Sequence, residues 1–331
     1  MLILLFSRKV LGCLMGVCNY LYYYTEELLK IMVDVLPHKN ACACVTLTGG
    51  VDSTVIALAA RSAGLRIKAY TAFYINSLPK DLPYAIYVAR SLGATHELLP
   101  ISANYALKLS EEVVKLLRTF DPVEVRNDVA ALAVLKKAAE DGCEYVLTGD
   151  GGDELFAGYT YMAAMTGEEL SKYIRYLAKV AHYPTVELGR RLGINVVAPF
   201  TAEEVVRVAL EVPPGYKRLN PYTGKYILRK IIEALIGPEV AWRPKTPAEE
   251  GSGTKALSEL YASLASEDDV RALKPLGLRG ADRAYLYRIF RKYYPEPPKE
   301  VPEGFVRCPY CGFPVPKVTK WCRTCGSYIG N

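Results

Sequence analysis

The sequence predicts an α/β fold: a doubly wound parallel sheet, then a mostly helical half, then a small cysteine-bound appendage. Three observations carry this. Apolar runs alternate with helical patterns up to residue 148, and strand signals nearly vanish after residue 160. Two glycine-rich stretches, Thr48-Gly49-Gly50-Val51-Asp52-Ser53 and Thr148-Gly149-Asp150-Gly151-Gly152-Asp153-Glu154-Leu155-Phe156-Ala157-Gly158-Tyr159, each follow an apolar run, Cys44 to Leu47 and Tyr145 to Leu147. Both therefore sit at carboxyl ends of strands, the edge where open α/β sheets bind ligands. Finally, Cys308, Cys311, Cys322 and Cys325 form Cys-x2-Cys-x10-Cys-x2-Cys near the C-terminus.

The elements follow in order. Residues 1–20 open on Met1-Leu2-Ile3-Leu4-Leu5-Phe6, are broken by Ser7-Arg8-Lys9, and read as a leader too short to span a bilayer. Thr25-Glu26-Glu27 before Leu28, Leu29, Ile31, Met32 and Val35 predicts a helix capped at Thr25 and ending before Pro37. Strands are predicted at Cys42–Thr48, Leu65–Tyr74, Thr95–Ile101 and Glu144–Thr148, with helices at Asp81–Leu92, Asn104–Phe120 and Asp128–Glu140 between them. Asn127 and Asp128 would start the last of these helices, by an ordinary N-cap or beside a nucleotide. Helical patterns recur at 167–181, 202–211, 223–235, 255–265 and 281–293. Pro295-Glu296-Pro297-Pro298-Lys299-Glu300-Val301-Pro302 reads as a stiff linker. The organisation is then 1–40 leader and first helix, 41–165 nucleotide-binding core, 166–294 helical part, 295–304 linker and 305–331 appendage.

Composition sets broad bounds. With 331 residues, 51% hydrophobic and 23% charged, the chain is an ordinary globular protein without a membrane segment, expected in the cytoplasm. A net charge of +6 suits an anionic ligand without identifying one. The absence of Gln beside abundant Lys, Arg and Glu fits a thermophile. The two Cys-x2-Cys knuckles, each followed by Gly, are the pattern of a structural tetrathiolate zinc site, favoured over two disulfides in a reducing compartment. A closed set of four thiolates leaves no open coordination position, so this zinc would not be catalytic. Cys13, Cys18, Cys42, Cys44 and Cys143 are scattered among apolar residues and read as free core cysteines.

The glycine loops have a physical logic. Gly49 and Gly50 let backbone N–H groups approach a phosphate, and the helix from Ser53 to Ala63 presents its N-terminus to the same anion. Thr48, Ser53 and Thr54 add hydroxyls. Asp52 repels phosphate unless a divalent cation lies between them, and Asp153 is the natural second carboxylate. The spacing to Lys-Ser or Lys-Thr that marks a Walker loop is missing.

These two stretches resemble the ATP pyrophosphatase loop and second signature of the asparagine synthetase family, with Thr48 in place of the usual Ser. The resemblance continues in order through Val197-Ala198-Pro199-Phe200, Lys225-Tyr226-Ile227-Leu228-Arg229-Lys230, Arg243-Pro244-Lys245 with Glu250-Gly251-Ser252-Gly253-Thr254, and Tyr285-Leu286-Tyr287-Arg288-Ile289-Phe290. It covers roughly residues 25 to 295, too many ordered motifs for chance. The Glu-Gly-Ser-Gly-Thr run is closer to the β-lactam and carbapenam synthetase branch. Thr201-Ala202 depart from the family's Leu-Asp.

The resemblance implies an adenine nucleotide α-hydrolase-like core and an AMP-forming amide ligase, with aspartate as the default carboxylate. It implies magnesium held by Asp52 and Asp153, charge stabilisation by Lys245, and ATP contacts from Thr48, Gly49, Gly50, Asp52, Ser53, Thr54, Ala72, Phe73, Gly149, Gly251 and Ser252. Asp150 stands where relatives carry Glu or Tyr; it orients or deprotonates the attacking amine, or is simply a turn residue. Glu154 reads equally as a helix cap. With Leu2 in place of a nucleophilic cysteine and no room for a glutaminase domain, the nitrogen is expected from ammonia, a separate glutaminase or an amine substrate. Two other readings stand beside this one: a tRNA-modifying, thiolation-type enzyme whose zinc ribbon grips RNA, and a scaffold whose ribbon binds a protein partner.

Overall fold

A computed structural model describes residues 18–37, 42–220 and 223–330 of the chain. Residues 1–17, most of the stretch expected as a leader and including Cys13, lie outside the described residues. Contacts divide the chain into two compact units that are discontinuous in sequence: Met1–Thr71, Asp81–Leu98 and Lys137–Thr246 form one, and Ala72–Lys80, Leu99–Lys136 and Pro247–Asn331 the other.

The sheet has five strands in the order β3-β2-β1-β4-β5, with β1 Cys42–Thr46, β2 Arg66–Tyr74, β3 Thr95–Ile101, β4 Val146–Leu147 and β5 Val196–Val197. β1 pairs in parallel with β2 and with β4, and β4 in parallel with β5. The switch from β1–β2 on one side to β1–β4 on the other opens the crevice that doubly wound sheets use for ligands. Both glycine stretches emerge there, from the ends of β1 and β4. β5 was not anticipated; it is two residues long and half-buried, too short to leave a periodic signal.

Ala43, Val45, Leu47, Ala69, Tyr145 and Leu147 carry the sheet's buried face, and Val55 to Ala60 and Ile227 to Ile232 pack helices against it. Burial of such aliphatic side chains stabilises by about 1.5–3 kcal/mol each. The first helix is Cys18–Asp34, so Thr25 is not its cap. It is an interior residue, 2% exposed, whose hydroxyl donates to the Tyr22 carbonyl at 2.7 Å. The helix begins upstream because Tyr20 to Tyr24 continue its pattern.

Likewise the helix of Asn127 and Asp128 begins at Pro122, which places both residues in its interior rather than at its start. Cys44 and Cys143 are not free: they form a disulfide, with Cα atoms 6.2 Å apart, because adjacent strands bring β1 and the turn before β4 within bridging range. Cys42 is free and exposed. Of Cys18, the side chain lies outside the described part.

In the second unit, Tyr261 stacks on Tyr285 with ring centres 5.5 Å apart and bonds the Ser110 hydroxyl at 2.6 Å. Phe290 gathers Phe120, Tyr294 and Phe313 around it. Phe313 belongs to the cysteine knuckles, which are tied to this unit further. Phe120 N–H donates to the Thr324 carbonyl at 2.8 Å, and the Thr119 hydroxyl to the Arg323 carbonyl at 2.7 Å. Downstream of the proline segment, the appendage is therefore docked onto helices of its own unit. Among the described residues no helix is long and apolar enough to cross a membrane.

Candidate active site

In the first unit the loop after β1 is folded on itself. Ser53 Oγ lies 3.0 Å from Thr48 Oγ1 and donates to the Gly50 carbonyl at 3.2 Å, and Gly50 N–H donates to Thr48 Oγ1 at 3.1 Å. Gly49 has φ +73°, and a Cβ there would come within 2.3 Å of Ala85 N, so no other residue fits. The helix Val51–Ser62 starts at Gly50 without a side-chain cap. Its first-turn N–H groups have no intrahelical acceptors, which suits an anion. Thr54 does not belong to this surface: it is fully buried and its hydroxyl has no partner.

The second stretch closes against the first. A Cβ at Gly149 would sit 2.9 Å from Asp52 Cβ, and one at Gly152 only 2.3 Å from Asp52 Oδ1. These glycines are what lets the two signatures touch. The result is that Asp52 and Asp153 converge on one amine, that of Lys225. Its Nζ contacts Asp52 Oδ2 and lies 2.8 Å from Asp153 Oδ1. Lys245 Nζ then bridges both oxygens of Asp153, at 2.7 and 2.8 Å.

Sequence reading placed Lys225 in a helix motif but gave it no role in the site. Its only signal was membership of that motif, far along the chain from the glycine stretches. Only the fold shows that it points back at them. Lys225 caps the helix Tyr226–Leu235 with φ +59°, and its N–H donates to the Phe156 carbonyl at 2.8 Å. Arg229, one turn on, donates to the carbonyls of Gly224, Ala241 and Arg243. Arg243 in turn donates to the Gly49 carbonyl at 2.8 Å, contacts Asp81 and covers the Tyr84 ring at 4.2 Å. One relay of buried guanidinium groups thus fixes the glycine loop and the segment carrying Lys245.

The electrostatics follow from burial. Desolvation pushes the Asp153 carboxyl up, but Lys225 and Lys245 outweigh it and hold the group down at about 2. Burial works against the Lys225 ammonium, and Asp153 and Asp52 more than compensate, raising its pKa. Lys245 is shifted down by burial and by the neighbouring Lys225. Asp150 has no such cation. Burial raises it to about 7, the hydroxyls of Thr185 and Thr148 pull it back in part, and its Oδ2 has no partner. Thr185 comes from the helix Pro184–Leu192, which the sequence did not announce. Glu154 accepts from the Tyr159 hydroxyl at 2.5 Å, and Tyr159 stacks on Tyr161. Ala202, where relatives carry Asp, precedes the helix Glu203–Glu211 and gives it no side-chain cap.

Lys225 is 4% exposed between two carboxylates. Replacing it by Met leaves Asp52 without a cation beside Asp153, which keeps only Lys245, an expected loss of roughly 3 kcal/mol of stability. Urea melts of Lys225→Met with and without magnesium check this. Part of the loss should return with the cation, and an unchanged melting curve would remove Lys225 from the charge cluster.

Ala72, Phe73, Gly251 and Ser252 belong to the second unit, where Tyr74 N–H donates to the Ser252 carbonyl at 2.9 Å. That unit also holds the tetrathiolate. Sγ of Cys308 and Cys325 are 3.8 Å apart, those of Cys311 and Cys322 3.6 Å, and all four lie within 4.8 Å of one another. A tetrahedral zinc with Zn–S near 2.3 Å has sulfur edges of about 3.8 Å, so the four thiols fit that ion.

Comparison with known proteins now decides the family. The asparagine synthase model matches residues 25–190 and 185–300. The chain belongs to the asparagine synthase family. It is 28% identical over 278 residues to asparagine synthetase B (glutamine-hydrolyzing) of Escherichia coli strain K12, covering 76% of this chain and 50% of that protein. It is 26% identical over 281 residues to the asparagine synthetase of Sandersonia aurantiaca, covering 76% and 53%. The chain thus spans about half the length of these curated relatives. Among solved structures it is similar to the NMN synthetase of Francisella tularensis, with 19% identity, 57% and 76% coverage and a TM-score of 0.33. It is also similar to the U34-tRNA thiolase NcsA of Methanococcus maripaludis, with 14% identity, 75% and 83% coverage and a TM-score of 0.33. The family's two signatures and lysine segment are those that converge on Asp52 and Asp153.

Proposed function

We propose that this member of the family is an ATP-dependent, AMP-forming amide ligase. The observation that carries the reading is the pairing of Asp52 and Asp153 with Lys225 and Lys245 beside an uncapped helix N-terminus and its glycine loop. The loop and the helix N–H groups would hold phosphate oxygens of ATP. Asp52 and Asp153 would hold magnesium; the buried Asp52 Oδ1 lacks a partner, and Gly152 lets that carboxylate approach the second stretch closely. The cation would offset the repulsion between carboxylates and phosphates when bound.

A substrate carboxylate then attacks the α-phosphorus, pyrophosphate leaves, and an acyl-adenylate forms. Lys245, a third exposed on its loop, opposes the charge that develops on the departing phosphates. Lys225 holds the two aspartates in place; with Lys245 it keeps Asp153 ionised, while for Asp52 it offsets only part of the burial that raises that carboxyl. Ammonia or an amine next attacks the acyl carbon and expels AMP, and Asp150 takes the proton that the nitrogen loses. Aspartate is the default carboxylate by family, although Ala202 removes one family carboxylate from the substrate side. Zinc in the four thiolates would be structural.

The role of Asp150 predicts a pH profile. Below about 7 its carboxyl holds a proton and cannot take another, so kcat/KM should rise with pH through that value. Asp150→Asn should lose this limb. A wild-type profile flat across that range would assign Asp150 to the turn alone. The reading as a whole is tested by pyrophosphate release with ATP and magnesium, screened over amino acids with and without ammonia, and then with tRNA. Release that needs an amino acid supports the ligase. Release that needs only tRNA would favour the thiolation-type alternative.

A further inference from the structure

The second cysteine knuckle carries a surface that the ligase chemistry does not use. It is a small hairpin: Cys322 N–H donates to the Ser327 carbonyl at 2.9 Å, and Ile329 N–H to the Lys320 carbonyl at 2.8 Å. Trp321 and Tyr328 face each other across it as an antiparallel bridge, with ring centres 5.0 Å apart. Both rings stand in solvent, Trp321 59% and Tyr328 47% exposed, and Val318 beside them is 60% exposed. Cys322, next to Trp321, is buried among the four cysteines that could hold a metal ion, and its N–H bond to Ser327 holds the backbone beneath the rings.

Within the appendage the charge has one sign, and Asp121, which reaches it from outside, meets it at Gly326. From Gly304 to Asn331 the chain contains Arg307, Lys317, Lys320 and Arg323 and no Asp or Glu. Lys317 and Lys320 are exposed on the turn that leads to Trp321. Lys320 and Tyr328 both pack against Gly330: a Cβ there would meet the Tyr328 hydroxyl at 2.7 Å and Lys320 Cδ at 3.0 Å. Gly330 therefore leaves room for a lysine and a tyrosine side by side.

We propose that this face is a stacking platform for an unpaired nucleic-acid strand. Exposed aromatic rings on a rigid hairpin offer faces to bases, and uncompensated lysines beside them meet the phosphates. A paired duplex hides its base faces and would gain only the electrostatic part. An acidic protein would use the lysines but has no need of two exposed rings. The inference does not depend on the amide ligase reading.

The test uses the full-length, zinc-loaded protein and fluorescence anisotropy with a short labelled oligouridylate, the same length of oligodeoxythymidylate, a duplex of that length, and polyglutamate as competitor. Both single strands should bind, with affinity falling as salt rises, and the tighter of the two identifies the sugar that the surface favours. Trp321→Ala and Tyr328→Ala should each weaken binding roughly tenfold, as expected for one lost stacking contact. Trp321→Phe should retain most of it. Lys317→Ser with Lys320→Ser should flatten the salt dependence by about 0.7 per lost phosphate contact. Zinc content is measured for every variant, so that loss of the knuckle is told apart from loss of a ring. The proposal is overturned if no single strand binds, if Trp321→Ala binds as wild type, or if duplex or polyglutamate competes as well as a single strand does.

Discussion

Asp153→Asn should lower ATP–pyrophosphate exchange by at least about a thousandfold while the protein stays folded. Asp153 is the only group in the described site that meets both lysines: its oxygens lie 2.8 Å from Lys225 and 2.7 and 2.8 Å from Lys245. The Asn variant keeps the shape and removes the charge. Asp52 then keeps Lys225, and Lys245 turns to solvent, so no buried charge is stranded and the melting temperature should change little. What disappears is half of the anionic cradle proposed for a divalent cation, worth several kcal/mol in the proposed reaction. Exchange measured over a magnesium titration, with circular dichroism as the folding control, checks this. Near-normal exchange would place the cation elsewhere.

The second large effect is expected from Lys245→Met. ATP affinity should change little, and turnover should fall by about a hundred- to a thousandfold, because the charge that Lys245 opposes grows during the reaction rather than on binding. Its loop, between Arg243 and the helix Ala248–Gly251, is anchored by Arg243 on the Gly49 carbonyl and not by Lys245 itself. The backbone should therefore survive the substitution. Equilibrium binding of ATP and single-turnover kinetics separate the two effects. A raised dissociation constant with unchanged turnover would make Lys245 a ground-state binding group.

Much of this site was legible because its signals are local. The glycines, Asp52 and Asp153 sit within two short stretches after apolar runs, and strand ends can be read from such runs. β3 was predicted with the bounds it has, Thr95–Ile101. What could not be read depends on contacts distant in sequence. Lys225 lies 173 residues from Asp52, and nothing near it marks its amine as buried. The Cys44–Cys143 pair, 99 residues apart, looked like two core thiols for the same reason. Thr25 failed differently: a good capping residue stood inside a helix already begun, and local propensity gave way to packing. Thr54 looked like a donor because it follows Ser53, but the helix turns it away from the loop. The proline segment reads as a stiff linker and gives no sign of the contacts that the cysteine knuckles make. Their bonds to Thr119 and Phe120 come from another part of the chain.

In the proposed reaction a substrate carboxylate attacks the α-phosphate of ATP at the carboxylate–lysine cluster. Oxygen labelling tests it most directly. The amino acid that supports pyrophosphate release is supplied with 18O in its carboxylate, and the nucleotide product is examined by mass spectrometry. The account predicts AMP carrying one 18O from the substrate, unlabelled pyrophosphate, and no labelled AMP from Asp153→Asn. Unlabelled AMP, or ADP with labelled inorganic phosphate, would contradict it.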